Sequence, residues 1–267
     1  MAAEATSLGE YAAKELARAA RQLGRQGEER HDGVHQGRKS IRRARAVLAL
    51  IAPSMQAATP IRRLDAGLRS LCRGLSSLRD ADALRDALLH LAKAAVIGPI
   101  ECERLCAQVS VLRAKRLASA LQRDPDFVRR RKRLADAIER LQRLPWESVG
   151  PEALSAAHAI SVARMRKALK RAAKSEDPEA WHLLRRRLRR LRQQETAFAE
   201  CAPELGLHAS DIGDLAEQMS LMQDHALLLA HCRRSGVFVA RDRATLRRLV
   251  EPLYSDSLAD VAARLKR

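Results

Sequence analysis

The chain has 267 residues, of which 46% are hydrophobic, so it is long enough to bury a core and is not a disordered polybasic tail. Its 50 Lys and Arg residues outnumber 32 acidic residues, and the formal net charge of +18 predicts association with polyanions or anionic surfaces. The longest apolar run, residues 46–52, is too short to span a membrane, and no export signal precedes it, so we expect a cytoplasmic protein.

The periodicity of apolar residues is helical along the whole chain, and no sustained alternation of period two occurs, which predicts an all-α fold. We expect helices near residues 5–26, 33–52, 59–95, 98–123, 125–143, 151–175, 178–202, 208–234 and 241–265. A break near Ser76 in the third of these segments is left open. Pro252 predicts a break or kink in the last helix, because proline lacks the backbone N–H that a helix interior needs.

The second helix carries a dense group of cations in "VHQGRKSIRRAR", residues 34–45. On a helical wheel, one half is basic and is formed by His35, Arg38, Lys39, Arg42, Arg43 and Arg45. The other half is apolar and includes Val34, Ile41, Ala44 and Leu48. Like charges four residues apart destabilise a helix by about 0.2–0.5 kcal/mol per pair. The basic face therefore requires either carboxylates of the chain itself or an anionic ligand.

The same pattern recurs 147 residues later, in "HLLRRRLRRLR", residues 182–192. His182 stands in the place of His35, and the cations at equivalent positions are Arg185, Arg186, Arg189, Arg190 and Arg192. The excess of 41 Arg over 9 Lys is consistent with a coding bias as well as with phosphate recognition. A coding bias would not preserve a histidine and five cations in register, so the pattern indicates an internal duplication.

An apolar segment that ends in Asp follows each basic helix, which places Asp80 and Asp224 at equivalent positions. The duplication predicts two pseudo-symmetric halves that resemble four-helix bundles, residues 1–145 and 146–267, within a single domain. We assign the two Asp residues to orienting the arginines. Ordinary helix caps or surface ion pairs remain an equally good interpretation of them.

A further basic stripe precedes each histidine helix. The first consists of Arg18, Arg21 and Arg25 together with Lys14, and the second of Arg164, Lys167 and Arg171 together with Lys174. The spacings place each set on one face of a helix. If each stripe packs beside the histidine helix of its own half, four cationic faces line one cleft between the halves. The alternative is four solvated faces that point outward.

The duplicated histidine and arginine helices, together with "LRDAD" at residues 78–82 and Gln223-Asp224, resemble the CHAD domain, the conserved histidine α-helical domain. This resemblance implies two similar helical halves, a basic central channel and non-catalytic binding of inorganic polyphosphate without a cofactor. It also implies that the basic residues of the four stripes bind the polymer. We accordingly expect a protein associated with polyphosphate granules.

Two other functional classes remain as alternatives. A nucleic-acid-binding protein would share the charge, but only 3% of the residues are aromatic and no base-reading motif is present. An enzyme or metalloprotein using His35 and His182 would need carboxylates or thiols at suitable spacing, which the sequence does not offer. Cys102 and Cys106 are four residues apart and could supply two metal ligands, although buried core thiols explain them better.

Overall fold

The computed structural model describes residues 3–53, 58–175, 177–208, 212–233 and 236–264. Within these residues the chain forms ten α-helices and no strand, which confirms the predicted all-α fold. The helices are α1 (Ala3–Leu23), α2 (Glu29–Ile51), α3 (Ala58–Gly74), α4 (Ser76–Lys93), α5 (Pro99–Arg123), α6 (Val128–Gln142), α7 (Pro151–Ala173), α8 (Pro178–Cys201), α9 (Ile212–His231) and α10 (Ala240–Arg264).

Most helix positions agree with the sequence, and the differences have local causes. The segment predicted at 59–95 is two helices, since α3 ends at Gly74 and α4 begins at Ser76. A 3₁₀ turn, Pro125–Phe127, precedes α6, because Asp126 and Phe127 adopt positive φ angles of 46° and 54°. Of the helix predicted at 208–234, residues 209–211 and 234 lie outside the described residues.

The prediction of a break in the last helix is wrong, whereas the alternative of a kink at Pro252 stays a prediction. Pro252 lies inside α10, which continues from Ala240 to Arg264. Proline removes one backbone donor and crowds the preceding turn, but side-chain packing of the rest of a helix can outweigh that penalty. In α10 the buried residues Leu246 and Val250 precede the proline, and Val261 follows it.

The contacts of the chain define two compact units. The first consists of residues 1–75 and 124–213, and the second of residues 76–123 and 214–267. Each unit therefore contains parts of both halves that the duplication predicts. The division into residues 1–145 and 146–267 follows the repeat in the sequence and stays a prediction.

In the first unit, α2 is central and contacts α1, α3, α7 and α8. Its contact with α1 is close because two glycines face that helix. A Cβ atom on Gly33 would clash with the backbone oxygen of Gln22, and one on Gly37 would lie 3.3 Å from the side chain of Leu23. The lack of side chains at both positions thus lets the two helix backbones approach each other.

The second unit has its own apolar core, formed by α4, α5, α9, α10 and the connecting segments next to them. Its fully buried members include Leu88, Leu105, Leu228 and Phe238. The carboxylate of Asp242, at the start of α10, is buried and accepts hydrogen bonds from Arg104 and, at 2.5 Å, from Gln108 Nε2. These bonds attach the start of α10 to α5.

Candidate functional site

The basic residues of α2 lie outside its buried apolar face. The apolar residues Val34, Ile41 and Ala44 are buried, whereas Arg42 and Arg45 on another face of the helix are only partly buried. This arrangement is the amphipathic division that the sequence predicts, with the glycine contact on one side and the guanidinium groups on another.

The second histidine helix, α8, packs directly against α2 in the same unit. Leu184, Leu188 and Leu191 form its buried stripe. Gln194, which is fully buried, donates from Nε2 to the backbone oxygen of Ala46 at 3.2 Å and so joins α8 to α2. The two duplicated helices therefore meet, and their cations lie close to each other.

A cavity of about 450 Å³ lies where α2, α3 and α8 meet, and we call it the arginine cavity. Eight arginines line it: Arg42 and Arg45 of α2, Arg69 and Arg73 of α3, and Arg186, Arg187, Arg189 and Arg190 of α8. The remaining lining residues are Ala46, Leu183 and Gln193. The described residues of this lining thus include neither an aromatic side chain nor a carboxylate.

One carboxylate, that of Asp65 on α3, holds two of these arginines in place. Arg45 donates from Nε to Oδ1 at 2.7 Å and from Nη2 to Oδ2 at 3.2 Å, and Arg69 donates from Nη2 to Oδ2 at 3.1 Å. Burial acts to raise the pKa of Asp65, but the hydrogen bonds and charges of Arg45 and Arg69 outweigh it and hold the pKa below its ordinary value. Asp65 is therefore ionised at neutral pH.

The four arginines of α8 that line the cavity differ from Arg45 and Arg69 in this respect. In the part of the chain that the structure describes, Arg186, Arg187, Arg189 and Arg190 have no carboxylate oxygen within 4.0 Å. Burial, together with the charges of Arg42, Arg185 and Arg38, lowers the pKa of Arg189 to about 9. Burial and neighbouring cations lower the pKa of Arg187 and Arg190 as well. The cations of α8 are thus both partly desolvated and mutually repelling.

The other predicted residues of α2 and α8 are not among those that line the arginine cavity. Arg38 donates from Nη1 to the backbone oxygen of Cys72, and Arg43 pairs at 3.0 Å with Glu15 on α1. Lys39, His182 and Arg192 are exposed, and His35 and Arg185 are partly buried. Although His182 lies at the surface, its ring is partly covered, and this desolvation lowers its pKa; the charge of Arg186 adds to the effect.

The stripes of α1 and α7 do not line the arginine cavity. In α1, Arg18 lies 3.8 Å from Glu15 and Arg21 is exposed, and just after this helix Arg25 pairs with Asp32 at 2.7 Å. The α7 residues Arg164, Lys167 and Arg171 are also exposed, and Arg171 lies 3.7 Å from Asp177. Of these, Arg164 is close enough to Arg187 to lower the pKa of the latter.

The predicted orienting acids, Asp80 and Asp224, belong to the second unit. Asp80 is exposed, and Asp224 Oδ2 lies 3.8 Å from His90 Nδ1 on α4. Their assignment to the arginines stays a prediction. Within the arginine cavity, the acid that orients arginines is Asp65.

Sequence reasoning missed four residues of this site: Arg69, Arg73, Arg187 and Asp65. Arg69 and Arg73 follow Asp65 at intervals of four residues, so all three share one face of α3. That spacing was the available signal. Arg187 had no such signal, because its equivalent in the first repeat is Ser40.

Neither a metal site nor a membrane span is found. Among the described residues, no group of three or more His, Cys, Asp or Glu side chains is arranged to hold a metal ion. The Sγ atoms of Cys102 and Cys106 are 4.0 Å apart, and burial together with the proximity of Cys102 raises the pKa of Cys106 to about 11, so Cys106 is a thiol at neutral pH. None of the helices, as far as they are described, has the length and apolar character needed to cross a bilayer.

The fold and the arginine cavity together define an all-α protein with a concentrated cationic surface. The family model for the CHAD domain matches residues 8–233, which is most of the chain, and the chain therefore belongs to the CHAD domain family. CHAD domains are generally non-catalytic binding domains, and their known role is to bind polyphosphate. Neither the curated proteins nor the solved structures contain a match to this chain.

Proposed function

We propose that the protein binds inorganic polyphosphate without catalysis and that the arginine cavity is its principal binding site. The observation that carries the proposal is the cavity itself, in which three helices direct eight arginines toward one space. Guanidinium groups match phosphate oxygens with two parallel N–H donors each, so this lining is suited to a closely spaced series of phosphates.

The electrostatics favour a ligand that brings many negative charges. The lowered pKa values of Arg187, Arg189 and Arg190 express the free-energy cost of holding these cations together. A polyanion removes that cost by replacing repulsion with charge-assisted hydrogen bonds and by releasing its counterions. Binding should therefore weaken steeply as salt is added.

The proposal extends to the organisation of the whole molecule and to its place in the cell. We propose that residues 1–145 and 146–267 are pseudo-symmetric halves around a basic channel, and that the protein associates with polyphosphate granules. The repeat of His35 and its cations in His182 and its cations supports the first part. The family role supports the second. An experimental structure with bound polymer tests the channel.

Nucleic acid is the alternative ligand. Single-stranded nucleic acids are usually held by aromatic side chains on which the bases stack, and the described lining of the arginine cavity has none. Inorganic polyphosphate has no bases and needs only regularly placed donors. If DNA or RNA displaces labelled polyphosphate at equal phosphate concentration, nucleic acid is the ligand and the proposal is wrong.

The test compares two double variants with the same loss of charge. Arg186→Gln with Arg189→Gln removes two cations from the arginine cavity, whereas Arg129→Gln with Lys132→Gln removes two exposed cations from α6. We expect the first variant to bind long-chain polyphosphate at least tenfold more weakly and the second to bind it nearly as the parent protein does. Equal losses in both variants would show binding by overall charge only.

The absence of catalysis has a separate test. The purified protein is incubated with long-chain polyphosphate in the presence of Mg²⁺ or Mn²⁺, and released orthophosphate and chain length are followed. We expect no change in either over the background. Chain shortening that the Arg186→Gln and Arg189→Gln substitutions abolish would instead indicate an enzyme.

A further inference from the structure

We propose that the arginine cavity engages a short segment of the polymer, of five to seven phosphate units, and that the remainder of a long chain contributes little to affinity. The inference rests on the proposed function and adds the size of the binding segment. Cavity volume, charge and the extent of each helical wall support it independently.

The arginine cavity is of limited size. Its volume is about 450 Å³, and a 60-unit chain, with four heavy atoms in each PO₃ unit, cannot enter it as a whole. The cavity therefore takes up a segment of a long polymer.

The charge of the lining sets the size of the segment. Six of its arginines, which are Arg45, Arg69, Arg186, Arg187, Arg189 and Arg190, carry six positive charges, and the carboxylate of Asp65 offsets one of them, which leaves a formal +5. Arg42 and Arg73 also line the cavity and bring the formal charge to at most +7. An internal phosphate of the polymer carries one negative charge, so five to seven units neutralise the lining.

Each wall of the arginine cavity is short. The lining arginines extend over residues 42–45 of α2, 69–73 of α3 and 186–190 of α8. At a rise of about 1.5 Å per residue, each helix presents its cations over about 6 Å or less. Three short walls that surround one space enclose a compact segment and do not form a long track.

The experiment measures dissociation constants for polyphosphates of about 3, 7, 14 and 60 units, each expressed per phosphate unit. We expect the three-unit chain to bind at least tenfold more weakly than the seven-unit chain, because it leaves two or more guanidinium groups without an anion. Between chains of about 14 and about 60 units we expect the dissociation constants per phosphate unit to agree within about twofold. A longer chain only offers more segments of the same length to the same cavity.

Two results would overturn the inference while leaving the proposed function intact. One is an affinity per unit that keeps rising beyond 14 units by more than twofold, which would show contacts along an extended surface. The other is a three-unit chain that binds as tightly as a seven-unit chain. Failure of every chain length to bind would instead contradict the proposed function itself.

A pair of variants gives a second, independent readout. Arg190→Gln, within the arginine cavity, should weaken the binding of 7-unit and 60-unit chains by the same factor. Arg129→Gln, exposed on α6, should change neither. A loss for the 60-unit chain alone in Arg129→Gln would show that long polymers extend over α6 and would contradict the inference.

Discussion

Arg45 of α2 and Asp65 of α3 form a two-point ion pair beside the arginine cavity, with Nε–Oδ1 and Nη2–Oδ2 distances of 2.7 and 3.2 Å. The same carboxylate accepts a hydrogen bond from Arg69. Asp65 therefore has two opposing effects: it fixes the position of two cations that line the cavity, and it subtracts one charge from them.

The Asp65→Asn variant separates these effects. Because Arg45 and Asp65 are both partly buried, we expect the free energy of unfolding to fall by about 1–3 kcal/mol. We expect polyphosphate affinity at low salt to rise, since a negative charge beside the ligand is lost, and its salt dependence to become steeper. Denaturant titration and binding at several salt concentrations measure the two outcomes.

Asp136→Asn is the matched control, because Asp136 is exposed on α6 and the same charge is removed there. Its stability should stay within about 0.5 kcal/mol of the parent value. A weaker affinity in Asp65→Asn at every salt concentration would show that the placement of Arg45 and Arg69 matters more than the charge.

Replacing Arg189 should stabilise the protein when no ligand is bound. Its pKa, lowered to about 9, means that folding is penalised while the guanidinium is charged, and this penalty is present at every pH below about 9. We expect Arg189→Met, which keeps an unbranched side chain, to raise stability by about 1 kcal/mol at pH 7. This corresponds to about 2–4 °C in Tm.

Arg129→Met serves as the control for the same change at an exposed position of α6. Added polyphosphate should raise the Tm of the parent protein more than that of Arg189→Met, because tighter binding to the folded state stabilises it further. A lower Tm for Arg189→Met without ligand would mean that Arg189 stabilises the fold, contrary to this account.

Polyphosphate affinity should increase as the pH falls from about 8 to about 5.5. In the free protein, partial burial and the charge of Arg186 hold the pKa of His182 below its ordinary value, so the imidazole is neutral at pH 7. A bound polyanion favours the imidazolium form and raises this pKa. At a pH between the pKa of His182 in the free protein and its higher pKa in the complex, binding therefore takes up a proton. Below the pKa of the free protein, the affinity no longer changes with pH.

The His182→Gln variant should lose part of this pH dependence, and the His208→Gln variant should keep it. Isothermal titration in buffers of different ionisation enthalpy measures the protons taken up. An unchanged proton uptake in His182→Gln would assign the pH dependence to other groups.

Acid sensitivity of the second unit should depend on Asp242. Burial acts to raise the pKa of this carboxyl, but hydrogen bonds from Arg104 and Gln108 lower it below its ordinary value of 3.8. Its contribution to stability is therefore present above about pH 4 and is lost as the pH falls through the lowered pKa. We expect Asp242→Asn to cost about 1–3 kcal/mol at pH 7 and much less near pH 2.

Urea unfolding at both pH values measures this difference, with the exposed Asp256→Asn as control. A cost that is the same at pH 7 and near pH 2 would mean that the substitution acts through packing of the side chain and not through its charge.

The helices were largely predictable from the sequence because their apolar residues recur with helical spacing and several begin at a proline, as α5, α7 and α8 do. The turn before α6 was not predictable, since it depends on positive φ angles at Asp126 and Phe127. Neither residue type by itself predicts that conformation. The continuity of α10 through Pro252 was missed because packing outweighs a local preference.

The site was predictable in part. The duplicated pattern identified α2 and α8 as the basic helices, and the two helices do pack together. A helical wheel shows which residues of one helix share a face, but it does not identify the neighbouring helix that this face contacts. For that reason the sequence did not identify α3, which supplies the third wall of the arginine cavity with Arg69 and Arg73. The assignment of the α1 and α7 stripes to polymer binding stays a prediction.

The glycines on the far side of α2 determine where its guanidinium groups point. A methyl group at Gly33 would have to displace the carbonyl of Gln22, so the close approach of α2 to α1 depends on the missing side chain. This backbone contact involves no charged side chain, so added salt, which weakens the binding of an anionic ligand, leaves it unchanged. A larger residue at Gly33 would therefore shift the helix that carries Arg42 and Arg45 without altering any charge of the arginine cavity.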